Sequence, residues 1–214
     1  AANGLADGGA TLSANDYAAL GLEIINTAAE VSLMNDVLDA KSGPGVDTYT
    51  ELAAIATAVY GVIAEANGSN ASPSLTVADF ALLGITGVTE NNLAQVIAAL
   101  RASSGVDTIS ELRSTVASAV AAAKAAAINA ISQYDGTAGS AVPTLADYAN
   151  AEVSGVTNVN IVSINSAFAQ INEISSDTTI EIQAAVGAYV SVLAGADGLD
   201  NNNTSITSAS YSAL

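Results

Sequence analysis

The sequence predicts an all-α protein, built as tandem three-helix modules in a short-long-long order and strung into an elongated array. Three observations predict this. A helix-opening phrase occurs three times, as GVDTYTEL at 45–52, GVDTISEL at 105–112 and SSDTTIEI at 175–182. An aromatic anchor recurs at Tyr17, Phe80, Tyr148 and Tyr211, with spacings of 63, 68 and 63 residues. Finally, half of the chain is apolar while only 4% is aromatic. That apolar mass is Ala, Val, Ile and Leu, which suits thin helices in close packing, and no strand-like alternation competes with it.

On these marks the chain divides into the tail of a preceding repeat (1–8), three repeats (9–72, 73–142 and 143–203) and the start of a fourth (204–214). The first helix of each repeat opens after Ser13, Thr76 or Thr144, with Asp16, Asp79 or Asp147 three residues on. This is an acidic capping box: the hydroxyl accepts from an orphan backbone N–H, and the acid favours the positive helix end. The second helix is expected to open at Thr27, Thr89 and Thr157. Its apolar faces read Val31, Met34 and Leu38, then Leu93, Val96, Ile97 and Leu100, then Ile161, Ile164 and Phe168.

The third helix has the full S/T-x-x-E box at Thr48/Glu51, Thr108/Glu111 and Thr178/Glu181. Its buried stripe reads Leu52, Ile55, Val59, Val62 and Ile63 in the first repeat, and Ile182, Val186, Tyr189, Val190 and Leu193 in the third. The middle repeat runs on through AAAKAAAINAISQY for about two more turns of ~3.6 residues. Asn67-Gly68, Asp135-Gly136 and Asp197-Gly198 are expected to end these helices, with glycine in the left-handed position. The linkers GSNASPS and GTAGSAVPT follow, each with a proline ahead of the next cap. Asp7-Gly8 stands where a terminal pair would, and TSITSASYSAL at 204–214 reads as a first helix. That last segment could dock onto a neighbouring molecule through Ile206, Tyr211 and Leu214.

Charge and composition exclude several classes of function. There are 21 acidic residues against four basic ones, Lys41, Arg101, Arg113 and Lys124, for a net charge of −17. So few cations cannot neutralise a run of phosphates, so no nucleic acid is expected as a partner. Val116 to Ile131 is Ala-dominated and interrupted by Ser118, Lys124 and Asn129, so no membrane insertion is expected. The chain has no Cys and no His, which removes thiolate sites and the usual base for a hydroxyl nucleophile. A Ser–Lys dyad through Lys41 or Lys124 is the formal remainder; a lysine solubilising a helix face is the plainer reading. Gly84, Gly87 and Gly155 lie between helices and follow no strand, so they match no phosphate loop.

The acids sit mainly at helix starts, where capping accounts for them. Acid–base catalysis would need two carboxylates converging in one cleft, and identical placement in each repeat argues against that. Calcium is the one metal that any segment suits. Asp197, Asp200 and Asn202 lie in an oxygen-rich turn, ADGLDNNNTS, although it lacks the EF-hand order. A solvated linker is the competing account, and no cofactor is otherwise expected.

The recurring phrase D[YF]A-x-x-G[ILV]-x-GVT-x-x-N[LI], then VDT-x-x-EL and an Ala/Val helix ending in Asn/Asp-Gly, resembles a known architecture. It is similar to the Ala-rich helical repeats of very long bacterial surface proteins and adhesins. The resemblance spans nearly the whole chain. The first repeat departs from it in losing GVT to IINT, and the third in having Glu152 where the pattern has Gly. It implies a bacterial, extracellular or cell-surface location and a non-enzymatic rod, stalk or head-to-tail filament, partnered by adjoining repeats or copies of itself. The alternative is an adhesive module that recognises a host protein or glycan through helix faces. The resemblance brings no catalytic or ligand residues.

Overall fold

A computed structural model describes residues 11–103, 105–170 and 177–195. It is all-α, with no strand among the described residues. The helices are α1 (Ala14–Ala19), α2 (Ala28–Asp39), α3 (Tyr49–Ala66), α4 (Val77–Leu82) and α5 (Leu93–Ala102). They continue as α6 (Ile109–Ser132), α7 (Leu145–Asn150), α8 (Ile161–Phe168) and α9 (Thr179–Gly195). A 3-10 turn, Gly43–Gly45, precedes α3. The chain divides into two compact units, residues 1–120 and 121–214.

The expected caps form. Ser13, Thr76 and Thr144 accept from the backbone N–H of Asp16, Asp79 and Asp147, whose carboxylates accept in return from the cap N–H. The same reciprocal pair closes Thr48/Glu51, Thr108/Glu111 and Thr178/Glu181. The second helices differ from expectation at two of three starts. Thr27 caps α2, but α5 and α8 begin at Leu93 and Ile161, after Asn92 and Asn160. The reason is a side chain folding back: Asn92 Oδ1 accepts from Thr89 N at 2.8 Å, while its Nδ2 donates to Gly87 O at 2.9 Å. Asn160 does the same with Thr157 and Gly155, so these segments begin as a side-chain-tied turn.

The first helices end in one shared turn. Leu22, Ile85 and Val153 donate N–H to the carbonyls of Tyr17, Phe80 and Tyr148, all at 2.9 Å. This six-residue closure needs a left-handed residue before its last position. Gly21 (φ +79°) and Gly84 (φ +71°) supply it, and Glu152 does so at φ +59°. The substitution of Glu for Gly therefore leaves the geometry intact. At the far end of α3, Gly68 (φ +74°) closes the helix as expected. In α6 the expectation fails: the helix stops at Ser132, before Asp135-Gly136. Asp135 instead accepts from Thr137 N at 3.0 Å in its own turn. Asp197-Gly198 lies outside the described residues.

In the first unit the core gathers around α3, which packs against α2, α4 and α5. Ile55, Ala56, Val59, Val62 and Ile63 are buried on it, with Leu33, Met34 and Val37 from α2 and Phe80 from α4. The α2 stripe thus lies beside the expected one: Val31 and Leu38 only flank it. Gly61 makes the approach close, because a Cβ there would come within 2.7 Å of Leu75 Cδ2. The second unit has a smaller core of Ala127, Ile131, Tyr148, Ile164, Phe168, Ile182 and Val186. Tyr148 and Phe168 meet edge to face there, with centroids 6.1 Å apart. The helix α6 meets the length and hydropathy of a membrane span. Its Leu112, Val116 and Ala119 belong to the first core, and its Ala127 and Ile131 to the second.

Candidate functional site

The polar group with the most structure around it is a clasp between the first and second helices. Tyr17 Oη donates to Asn35 Oδ1 at 2.8 Å, and Asn35 Nδ2 donates to Leu12 O at 2.9 Å. The second unit repeats it: Tyr148 Oη donates to Asn165 Oδ1 at 2.8 Å, and Asn165 Nδ2 to Pro143 O at 2.8 Å. Both tyrosines and Asn165 are buried. Burial, followed by the charge of Asp16 or Asp147 next in sequence, pushes both phenols well above the ordinary tyrosine range. They are therefore neutral donors, suited to fastening and unsuited to proton transfer. At the matching positions between these two stand Phe80 and Ile97, 17 residues apart as Tyr148 and Asn165 are. Both the hydroxyl and the amide are gone there; Phe80 is buried in the first core and Ile97, partly buried, packs against it.

Neither Asn35 nor Asn165 is marked by the cap and stripe patterns. The signal that could have found them is an Asn 17 or 18 residues after a first-helix Tyr, present in the first and third repeats and lost together with the hydroxyl in the middle one.

The basic residues are used at two ion pairs. Arg101 Nε reaches Glu65 Oε2, and Glu65 Oε1 accepts from Ala71 N at 3.0 Å. Burial would raise the Glu65 carboxyl, but the hydrogen bonds from Arg101 and Ala71 outweigh it and hold the group below its ordinary value. Glu65 thereby ties the end of α3 to the linker behind it and to α5. Lys124 pairs with Glu152, the left-handed residue after α7. Lys124 therefore faces a carboxylate rather than a serine hydroxyl.

The cap acids act locally. Hydrogen bonds from Ser13 hold Asp16 below its ordinary range; Thr48, Thr108 and Thr178 do the same for Glu51, Glu111 and Glu181. Around the start of α6, Asp36 Oδ2 accepts from Ile109 N at 3.0 Å. Asp107 is raised, chiefly by its contact with Glu111 and the repulsion that comes with it. Each of these acids has a backbone or hydroxyl partner, and no group of three acids among the described residues gathers to hold a metal. A shallow hollow of about 440 Å3 lies after α6, lined by Gln133, Asp135, Thr137 and Ser140. The Asp135 carboxylate in it is engaged by Thr137.

The calcium candidates Asp197, Asp200 and Asn202 lie outside the described residues, as do Ile206, Tyr211 and Leu214.

Comparison with protein-family models, with characterised proteins and with solved structures finds no match to this chain. The molecule's own geometry is therefore the ground for any functional reading.

Proposed function

We propose that the chain is a non-enzymatic structural segment, a run of tandem short-long-long helical modules that forms a rod or stalk on the outside of a bacterial cell. The observation that carries this is the Tyr–Asn clasp together with its replacement by Phe80 and Ile97. A group that performs chemistry or binds a ligand loses its role when hydroxyl and amide are both exchanged for hydrocarbon. A group that packs one helix onto another keeps it. The other recurring residues, the Thr/Glu boxes and the left-handed turn, close helix ends in the same way. Modules that stack through neighbour contacts let length follow copy number, which is what a spacer requires. A net charge of −17 favours solubility and separation in a salty exterior. Small-angle scattering from the 214-residue chain tests the reading. An elongated distance distribution is expected, and that of a compact globule would overturn it.

One observation favours a second reading, an adhesive module. Val159 in the turn before α8 and Val162 in its first turn are 94% and 76% exposed. The matching positions hold Asn91 and Ala94 in one repeat and Ala29 and Ser32 in the other. The third repeat alone thus presents an apolar spot there. The double variant Val159→Asn, Val162→Ala keeps the fold and removes the spot. Loss of attachment to host cells or glycan surfaces by this variant would favour adhesion; unchanged attachment, or none in either form, would count against it.

A further inference from the structure

We propose that α9 carries a docking face for residues 204–214 of the same chain, seated as α4 is seated on α3. The inference rests on the modular reading above and identifies the surface that the next module's first helix would cover. The comparison is internal. Aligning the caps Thr48 and Thr178 sets Val59, Val62 and Ile63 of α3 against Tyr189, Val192 and Leu193 of α9. On α3 these positions are 0%, 0% and 3% exposed, in a helix that packs against α2, α4 and α5. On α9 all three stay only partly buried, Tyr189 resting against its own module's core and Val192 and Leu193 beyond it. Only Ile182, Ala185 and Val186 of α9 are fully buried, on the side that faces its own module.

The residues that cover α3 have counterparts further along the chain. Leu75, Phe80 and Leu83, buried in the same core as α3, match Ile206, Tyr211 and Leu214 in order and spacing, and the cap Thr76 matches Thr207. Phe80 stands 12 residues after Gly68, Tyr148 stands 12 after Gly136, and Tyr211 stands 13 after Gly198. A linker of the same reach to the same aromatic favours the chain's own segment over a second copy. The seat differs in one detail: Ser191 stands where Gly61 receives Leu75, with its hydroxyl turned back to Gly187 O at 2.8 Å.

Hydrogen exchange on the full chain, read separately over α3 and α9, tests this. Tyr211→Ser is expected to lower amide protection across residues 188–193 about tenfold or more, leaving α3 unchanged. Tyr211→Phe is expected to keep that protection, since Phe80 fills the matching seat on α4. Equal protection of α9 in wild type and Tyr211→Ser would overturn the proposal. Protection that rises with protein concentration would overturn it too, because the occupant would then be a second copy. A compact scattering profile with an intact Tyr211 effect would defeat the rod and leave this contact standing.

Discussion

At the scale of single residues, the clasp and the left-handed Glu152 show how much each side chain contributes to closing a module. Removing the Tyr148 hydroxyl leaves Asn165 Oδ1 without its donor in a buried setting, which costs about 1–2 kcal/mol. Tyr148→Phe is therefore expected to lower the denaturation midpoint of the second unit. Adding Asn165→Ile, in the image of Phe80 and Ile97, is expected to recover part of the loss. Strictly additive losses in chemical denaturation would show that the pair is not coupled. Glu152 makes the opposite case. A left-handed non-glycine residue costs about 1–2 kcal/mol, whereas its pair with Lys124, exposed at 67% and 33%, returns less than about 1 kcal/mol. Glu152→Gly is expected to stabilise the protein, and a lowered midpoint would mean that the ion pair outweighs the strain.

At the scale of elements, the sequence was most legible where a cap sets the start of a helix. Ser13, Thr27, Thr48, Thr76 and Thr144 each begin the helix expected of them. Starts were misread where an Asn side chain took the place of the acid, as at Asn92 and Asn160, since turn and cap share the same residue types. Ends were less legible: Gly136 has the left-handed backbone but follows a turn of its own. Stripes were legible in their period and less so in their centre, so Leu33 and Val37 replace Val31 and Leu38 in the core. The cap carboxylates also predict a pH response. Asp16, Glu51, Glu111 and Glu181 are held below their ordinary values by Ser and Thr hydrogen bonds. Their contribution is complete above the unfolded range, near pH 4–4.5, and is lost as pH falls through the lowered folded values. Asp107 is raised and works in the other direction, since its protonation relieves repulsion from Glu111. At about 1 M NaCl, where the screening length is ~3 Å, self-repulsion is muted. Under those conditions the denaturation midpoint is expected to fall as pH drops below about 4, and a flat profile would remove the caps as its cause.

At the scale of the whole molecule, net charge acts on stability in a way that no single contact captures. With 21 acids and four bases, the folded chain repels itself at neutral pH. Added salt is expected to raise the denaturation midpoint there, most steeply below about 0.1 M, where the screening length exceeds ~10 Å. A midpoint independent of salt would show that the charges already lie too far apart to interact. The contact-defined units divide at Val120, inside α6, while the linkers lie elsewhere. The first unit joins the helices of two sequence repeats because α3 packs against α2 of its own repeat and against α4 and α5 of the next.

The sequence by itself determined the helical class, the openings of the helices that carry a hydroxyl–carboxylate cap, and the aromatic that anchors each short helix described. These follow from local chemistry: a hydroxyl three residues before a carboxylate, and an apolar period of about 3.6. Tertiary structure alone decided that Asn35 and Asn165 fasten the anchors, that Glu65 draws Arg101 across from α5, and that Lys124 steadies a left-handed Glu152. It also decided that Val59, Val62 and Ile63 of α3 are buried while the matching Tyr189, Val192 and Leu193 of α9 stay partly exposed. Each of these side-chain ties joins residues 17 to 36 positions apart. No helical period or cap reaches that far, so they are set only once the helices have packed.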